Sequence, residues 1–130
     1  KLRQKYFKMH QKFFKNYSQF FSIPNQLKNS STAWLAYPLM IKDNAPFNRK
    51  ELQIFLEKRN IQTRVVFTGN ILRQPGYKFL LKSQYNKNYP NADNVMKNGI
   101  LLACHNGLNQ KMLSHFYSSF EIFLKQFYKQ

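Results

Sequence analysis

Residues 60–77 read NIQTRVVFTGNILRQPGY. The first half alternates as a half-buried strand does. Ile61, Thr63, Val65 and Phe67 fall on one face, and Gln62, Arg64 and Val66 on the other. The second half breaks that period with Gly69, Pro75 and Gly76 and opens a long irregular stretch reaching to about Pro90. Loops of this length inside a compact domain are usually functional or disordered. Its far part, KSQYNKNY (82–89), has the composition of a solvated tip.

Upstream, residues 49–59 form a helix. Asn48 is placed as its N-cap with Glu51 in the capping-box position, Leu52, Phe55 and Leu56 point inward, and Asn60 suits its C-terminal end. Before it, AWLAYPLMIK (33–42) is apolar on both alternating faces, as a strand buried on both sides requires; Pro38 marks an edge or a bulge. The opening segment is an amphipathic helix reaching to Ser22. Tyr6, Met9, Phe13, Tyr17 and Phe20 recur at steps of three and four, widened by Phe7, Phe14 and Phe21, with Lys5, Lys8, Lys12 and Lys15 opposite.

Downstream, residues 91–98 form a short helix and 99–104 a strand. His105-Asn106-Gly107 turns the chain, and Asn109 caps a last helix striped with Leu113, Phe116, Tyr117, Phe120, Phe123, Leu124 and Phe127. Three short strands among amphipathic helices describe an α+β domain, a two-layer sandwich of a short sheet and helices, spanning residues 1–130.

Composition narrows the chemistry. Lys plus Arg number 21 against 5 Asp plus Glu, a formal charge of +16. Five carboxylates are few for a two-carboxylate glycosidase or a carboxylate-rich Mg²⁺ site. Basic charge with aromatics raises a stand-alone RNA-binding module. The aromatics, however, lie on helical core stripes, the lysines are dispersed, and Lys, Asn, Phe, Tyr and Ile all have A- and T-rich codons. A solvated basic surface is the expected reading and nucleic acid an unlikely partner. His10, His105 and His115 lack metal-ligand spacing. Cys104 is the only cysteine, which excludes an internal disulfide and fits a reducing compartment. No apolar run is long enough to span a bilayer. The chain opens on Lys1 rather than Met, as a piece of a longer protein would.

The loop holds the candidate site. Arg64 and Arg73 carry planar donor forks suited to phosphate or carboxylate. Asn70 and Gln74 add amides, Tyr77 a hydroxylated ring, and Gly69 and Gly76 unusual backbone angles or close approach. This inventory suits an anionic sugar nucleotide or cofactor. It suits equally a Gly/Pro-shaped loop whose Arg73 pairs with a backbone carbonyl or an acid.

Five segments in order bear a resemblance: FFSIP (20–24), AWLAYPLMIKDNAPFNRKEL (33–52), LEKRNIQTRVVFTGNILRQPGY (56–77), YPNADNVMKNGILLACHNGL (89–108) and the closing helix. Together they resemble the C-terminal region of the DegT/DnrJ/EryC1/StrS sugar-nucleotide aminotransferase/dehydratase family. The likeness is strongest to its CDP-4-dehydro-6-deoxyglucose 3-dehydratase branch of lipopolysaccharide biosynthesis. It covers nearly the whole chain, and residues 60–77 are its most specific part. CHNGL departs from that branch's Pro-Gly before the last helix and matches aminotransferase relatives with His there.

The resemblance implies the small C-terminal domain of a fold-type-I pyridoxal phosphate enzyme. It implies a cytoplasmic homodimer acting on a nucleotide-linked keto-sugar, with the large cofactor-binding domain in cis or on a separate chain. In the dehydratase branch it implies pyridoxamine phosphate and an iron–sulfur cluster, whose cysteines Cys104 does not match. It places Arg64, Asn70 and Arg73 on the substrate side of the cleft, Gly69 and Gly76 as loop-shaping residues, and Gln74 and Tyr77 as lining. No catalytic residue is implied here, and the isolated chain is expected to be inactive.

Overall fold

The computed structural model describes residues 1–77, 79 and 87–128. Helix α1 spans Leu2–Lys15, strand β1 Phe21–Ser22, β2 Ala36–Ile41, helix α2 Arg49–Glu57 and β3 Arg64–Val65. Two 3₁₀ turns follow at Ile71–Arg73 and Pro75–Tyr77, then α3 at Pro90–Asn98, β4 at Gly99–Ala103 and α4 at Gln110–Lys125. The four strands form one sheet in the order β1-β2-β4-β3, each neighbouring pair antiparallel. Most of the 82–89 tip lies outside the described residues.

Alternation along β2 builds the core. Tyr37, Leu39 and Ile41 are buried on one face with Ile100 and Leu102 of β4; Ala36, Pro38 and Met40 turn half-buried to the other. Phe7 and Phe14 of α1, Leu52 and Leu56 of α2, and Phe116, Phe120 and Leu124 of α4 complete the same apolar cluster. Fully burying one such side chain contributes about 1.5–3 kcal/mol. Rings stack within it, as Phe14 does on Tyr37 at 5.6 Å with an interplanar angle of 18°. The aromatics of the helical stripes are thus largely packed in the core.

The caps agree with the sequence. The Asn48 side chain accepts from Glu51 N–H at 3.0 Å and Glu51 accepts from Asn48 N–H at 2.8 Å, both arms of the capping box. Asn109 accepts from Met112 N–H at 2.9 Å. Asn60 adopts a left-handed φ of 59° just after α2.

Three expectations need correcting. Helix α1 ends at Lys15, and turns carry the chain to β1, so Phe21 sits in a fourth strand. The strand expected over 61–67 survives only at Arg64–Val65, because Phe67 takes a left-handed φ of 48° and leaves the sheet 76% exposed. Pro38 lies in an inner strand. Lys42 N–H donates to Phe20 O at 2.9 Å, so even-numbered residues of β2 aim their backbone groups at the β1 side. Since β1 pairs only with Met40 and Ile41, Pro38 faces a flank without a partner strand, where its missing N–H breaks no ladder.

Candidate functional site

The loop after β3 is fixed to α3 at two points. Gly69 (φ 62°) lies so close to the Met96 backbone that a Cβ would stand 2.5 Å from its Cα. Only glycine meets both conditions, a left-handed φ and that approach. Four residues on, the chain reaches Asp93 in the first turn of α3, where the helix dipole favours a carboxylate.

Asp93 is the hub. Asn70 Nδ2 donates to Oδ1 at 2.8 Å, Arg73 Nε donates to Oδ1 at 3.0 Å, and Arg73 Nη2 donates to Oδ2 at 3.0 Å. These bonds, Arg73 first and Asn70 second, hold the Asp93 carboxyl below its usual pKa. Asn70, almost fully buried, also accepts Leu72 N–H at 3.0 Å and so starts the first 3₁₀ turn. Arg73 Nη2 reaches Lys87 O at 3.1 Å. Gln74 Nε2 closes the loop on itself by donating to Thr68 O at 2.9 Å.

The sequence-derived candidates therefore separate. Asn70 and Arg73 meet on Asp93, a carboxylate that spacing gave no reason to join to them; its Pro90-led helix start was the one visible signal. Gly69 and Gln74 line a hollow of about 320 Å³ with Arg49 and Met96. Tyr77 is exposed at the end of the second 3₁₀ turn. Gly76 has no left-handed φ, and a Cβ added there would meet nothing within 4 Å among the described residues.

Arg64 stands apart. It pairs with Leu101 across β3 and β4, and its exposed guanidinium has no hydrogen-bond or ionic partner among the described residues. Because β3 pairs with β4 at only two positions, residues 60–62 stand off from Leu102 and Ala103. Between them opens a groove of about 430 Å³. Gln62, Arg64, His105 and His115 give it polar walls. Leu101, Leu108, Met112 and Phe116 give it an apolar floor. The two histidines, unrelated by sequence spacing, are thus brought to one groove. His105 Nδ1 accepts Gly107 N–H at 3.1 Å, which assigns the ring proton to Nε2. His115 Nε2 lies 2.8 Å from Arg59 O and ties α4 to the end of α2.

Two buried titratable groups, His10 and Cys104, lie in the core. His10 is fully buried, with Nε2 2.9 Å from Ala103 O and Nδ1 3.1 Å from Tyr117 Oη. Burial lowers its pKa. Burial pushes the Cys104 thiol up to about 11, so it stays protonated. Among the described residues no group of three or more His, Cys, Asp or Glu could hold a metal ion, and no helix is long and apolar enough to cross a membrane.

Comparison with known proteins gives concordant matches. The model of the DegT/DnrJ/EryC1/StrS aminotransferase family matches residues 1–121. Lipopolysaccharide biosynthesis protein RfbH of Salmonella typhimurium is 32% identical over 101 residues, which are 78% of this chain and 23% of that protein. The chain thus spans about a quarter of that relative's length. Among solved structures, the Helicobacter pylori aminotransferase PseC, involved in pseudaminic acid biosynthesis, superposes with a TM-score of 0.81 at 19% identity, over 96% of this chain and 32% of that one. The E. coli GDP-4-keto-6-deoxy-D-mannose-3-dehydratase with bound hydrated PLP gives 0.69 at 23% identity, over 91% of this chain and 29% of that one. The two structural likenesses establish a shared fold, that of a part of PLP-dependent enzymes.

Proposed function

The chain belongs to the DegT/DnrJ/EryC1/StrS aminotransferase family, and we propose that it is the small C-terminal domain of a sugar-nucleotide enzyme, a CDP-4-dehydro-6-deoxyglucose 3-dehydratase serving lipopolysaccharide O-antigen biosynthesis. The observation that carries this reading is the 32% identity to RfbH over 101 residues. In the full-length parent, a cytoplasmic homodimer, pyridoxal or pyridoxamine phosphate supplies the electron sink for the sugar chemistry.

This chain does not itself form the cofactor site. A pyridine nitrogen needs a free acid, and both aspartates are taken: Asp93 by Asn70 and Arg73, Asp43 by Lys97 at 3.1 Å and Asn98 at 2.9 Å. The iron–sulfur cluster of the dehydratase reading likewise draws its cysteines from elsewhere in the parent. What this domain contributes is a shaped surface. Asn70 and Arg73, clasped by Asp93, hold the loop on α3 so that Gln74 and Tyr77 line the cleft, and Arg64, without a partner among the described residues, offers its cation to an anionic substrate.

A sugar-nucleotide aminotransferase is the second reading, favoured by the His105-containing turn before α4. The full-length parent, given CDP-4-keto-6-deoxyglucose, separates the two. Loss of the 3-hydroxyl supports dehydration, and glutamate-dependent amine transfer supports the aminotransferase. Turnover of neither substrate class refutes both. Within the active parent, Arg73→Ala is expected to lower kcat/KM for the sugar nucleotide; an unchanged value would remove Arg73 from the binding surface.

A further inference from the structure

The dipeptide Asn-Gly occurs twice in the chain, at residues 98–99 and 106–107, and the fold treats the two copies oppositely. We propose that Asn106 is a site of self-catalysed deamidation, with the His105 imidazole as its base, while Asn98 is held inert.

The chemistry asks three things of such a pair: a free side-chain amide, a following backbone nitrogen that can reach it, and a base for that nitrogen's proton. The Gly107 nitrogen attacks Asn106 Cγ and closes a five-membered succinimide. The new N–Cγ bond replaces the Cγ–Nδ2 bond. The proton lost from Gly107 N–H passes by way of His105 to the departing amine, which leaves as ammonia. Water then adds to either imide carbonyl and opens the ring, giving aspartate or isoaspartate.

Asn106 and Gly107 are the central residues of a turn closed by Leu108 N–H on His105 O at 3.3 Å. Both are exposed, and the Asn106 side chain has no hydrogen-bond partner among the described residues. His105 Nδ1 accepts the Gly107 N–H at 3.1 Å, so the acceptor already sits on the proton that must go. That distance lies inside the reach of roughly 2.6–3.2 Å required of a general base. The close approach depends on glycine, because a Cβ at residue 107 would stand 3.1 Å from the same Nδ1. The missing side chain also leaves the attacking nitrogen unhindered.

Asn98 fails every requirement. It is buried, and its Nδ2 donates to Asp43 Oδ1 at 2.9 Å and to Asn94 Oδ1 at 2.8 Å. Its following nitrogen is occupied as well, since Gly99 N–H donates to Val95 O at the end of α3.

Conversion of Asn106 matters for the surface beside it. His105 and Leu108 both line the groove between β3 and β4, whose walls hold no Asp or Glu. A carboxylate would appear between them in the chain. Isoaspartate would also lengthen the main chain by one methylene just before the Asn109 cap. It would displace Leu108, whose carbonyl accepts the Tyr6 hydroxyl at 2.7 Å and so ties this turn to α1.

The test is ageing of the chain at pH 7.5, its folded state verified by a cooperative thermal melt, beside the same chain held in urea. Peptide mass mapping scores the exchange of amide for acid at residues 98 and 106, and enzymatic methylation detects isoaspartate. In the folded chain Asn106 is expected to convert at least about tenfold faster than Asn98, and in urea the two rates should converge. His105→Gln can still accept the Gly107 N–H but cannot take its proton. At this exposed position it is expected to slow folded-state conversion at least about tenfold, below the roughly 10²-fold a positioned base commonly supplies. An Asn106 that keeps its amide while the folded chain ages, or converts no faster than Asn98, would overturn the site. Undiminished conversion in His105→Gln would overturn the role of the imidazole.

Discussion

The buried His10 makes the fold sensitive to acid in a way that can be worked out in advance. Its Nε2–H donates to Ala103 O and its Nδ1 accepts the Tyr117 hydroxyl, joining α1 to β4 and α4. The ring also packs against Tyr37, Phe14 and Phe116 at centroid separations of 5.2, 6.5 and 5.0 Å. Protonation places a charge there and destroys the Nδ1 acceptor, so burial depresses the folded-state pKa below its ordinary value. The unfolded chain then binds more protons than the folded one. Stability from this group is complete above the unfolded pKa of about 6.5 and is lost as pH falls through the window down to the depressed value. Within that window the slope approaches about 1.4 kcal/mol per pH unit.

Replacing His10 by Phe keeps a ring but leaves Ala103 O and the Tyr117 hydroxyl without it as a partner. Each orphaned group costs about 1–3 kcal/mol, so a loss of roughly 2–6 kcal/mol is expected at pH 7.5. The variant lacks the titrating group. The stability gap between wild type and variant should therefore narrow as pH falls below about 6.5. Urea denaturation of both proteins at pH 7.5, 6.5, 5.5 and 5.0 measures the gap directly. A gap independent of pH across that range would refute the assignment of His10 as the buried, neutral link.

Three further outcomes follow from the same geometry. Gly69→Ala, strained at φ 62° and set against Met96, should destabilise by more than about 1 kcal/mol, whereas Gly76→Ala, in open space, should be neutral or slightly stabilising in thermal melts. Asn48→Ala should cost about 1 kcal/mol by removing one arm of the capping box, read as a lower urea midpoint with unchanged m. The depressed Asp93 carboxyl means that the clasp holds above the ordinary carboxylate pKa and opens as pH falls through the lowered value; the Asn70 amide and Arg73 Nε–H resonances report it, and Asp93→Asn should expose the 69–74 amides to faster hydrogen exchange at neutral pH.

The helices were legible because a period of 3.6 and side-chain caps are local signals: Asn48 with Glu51 and Asn109 before α4 need no knowledge of the rest of the chain. Strands β2 and β4 were legible from their apolar runs. Strand β1 was hidden because Phe20 and Phe21 prolong the aromatic spacing of α1, and only pairing with Met40 and Ile41 draws the backbone straight. Phe67 fits the alternation of 61–67, yet the loop's attachment to α3 turns it outward. At the site, the sequence marked the right loop without its partners. Arg73 and Asn70 find Asp93 20 and 23 residues away, a pairing no spacing rule encodes. The groove collects Arg64, His105 and His115 through the short β3–β4 ladder, which is a property of tertiary packing.

Pro38 has one more consequence. Residues 36–39 of β2 present an apolar strand flank that β1 stops short of covering, the kind of ledge on which another molecule's strand can grow. Every second residue there aims its amide outward, and at Pro38 the donor is missing. A foreign strand laid along that ledge would find a gap where its carbonyl expects an N–H, so association through this flank is interrupted at its centre. The proline read from sequence as a mark of an edge or a bulge thus removes a donor from the uncovered flank of an inner strand.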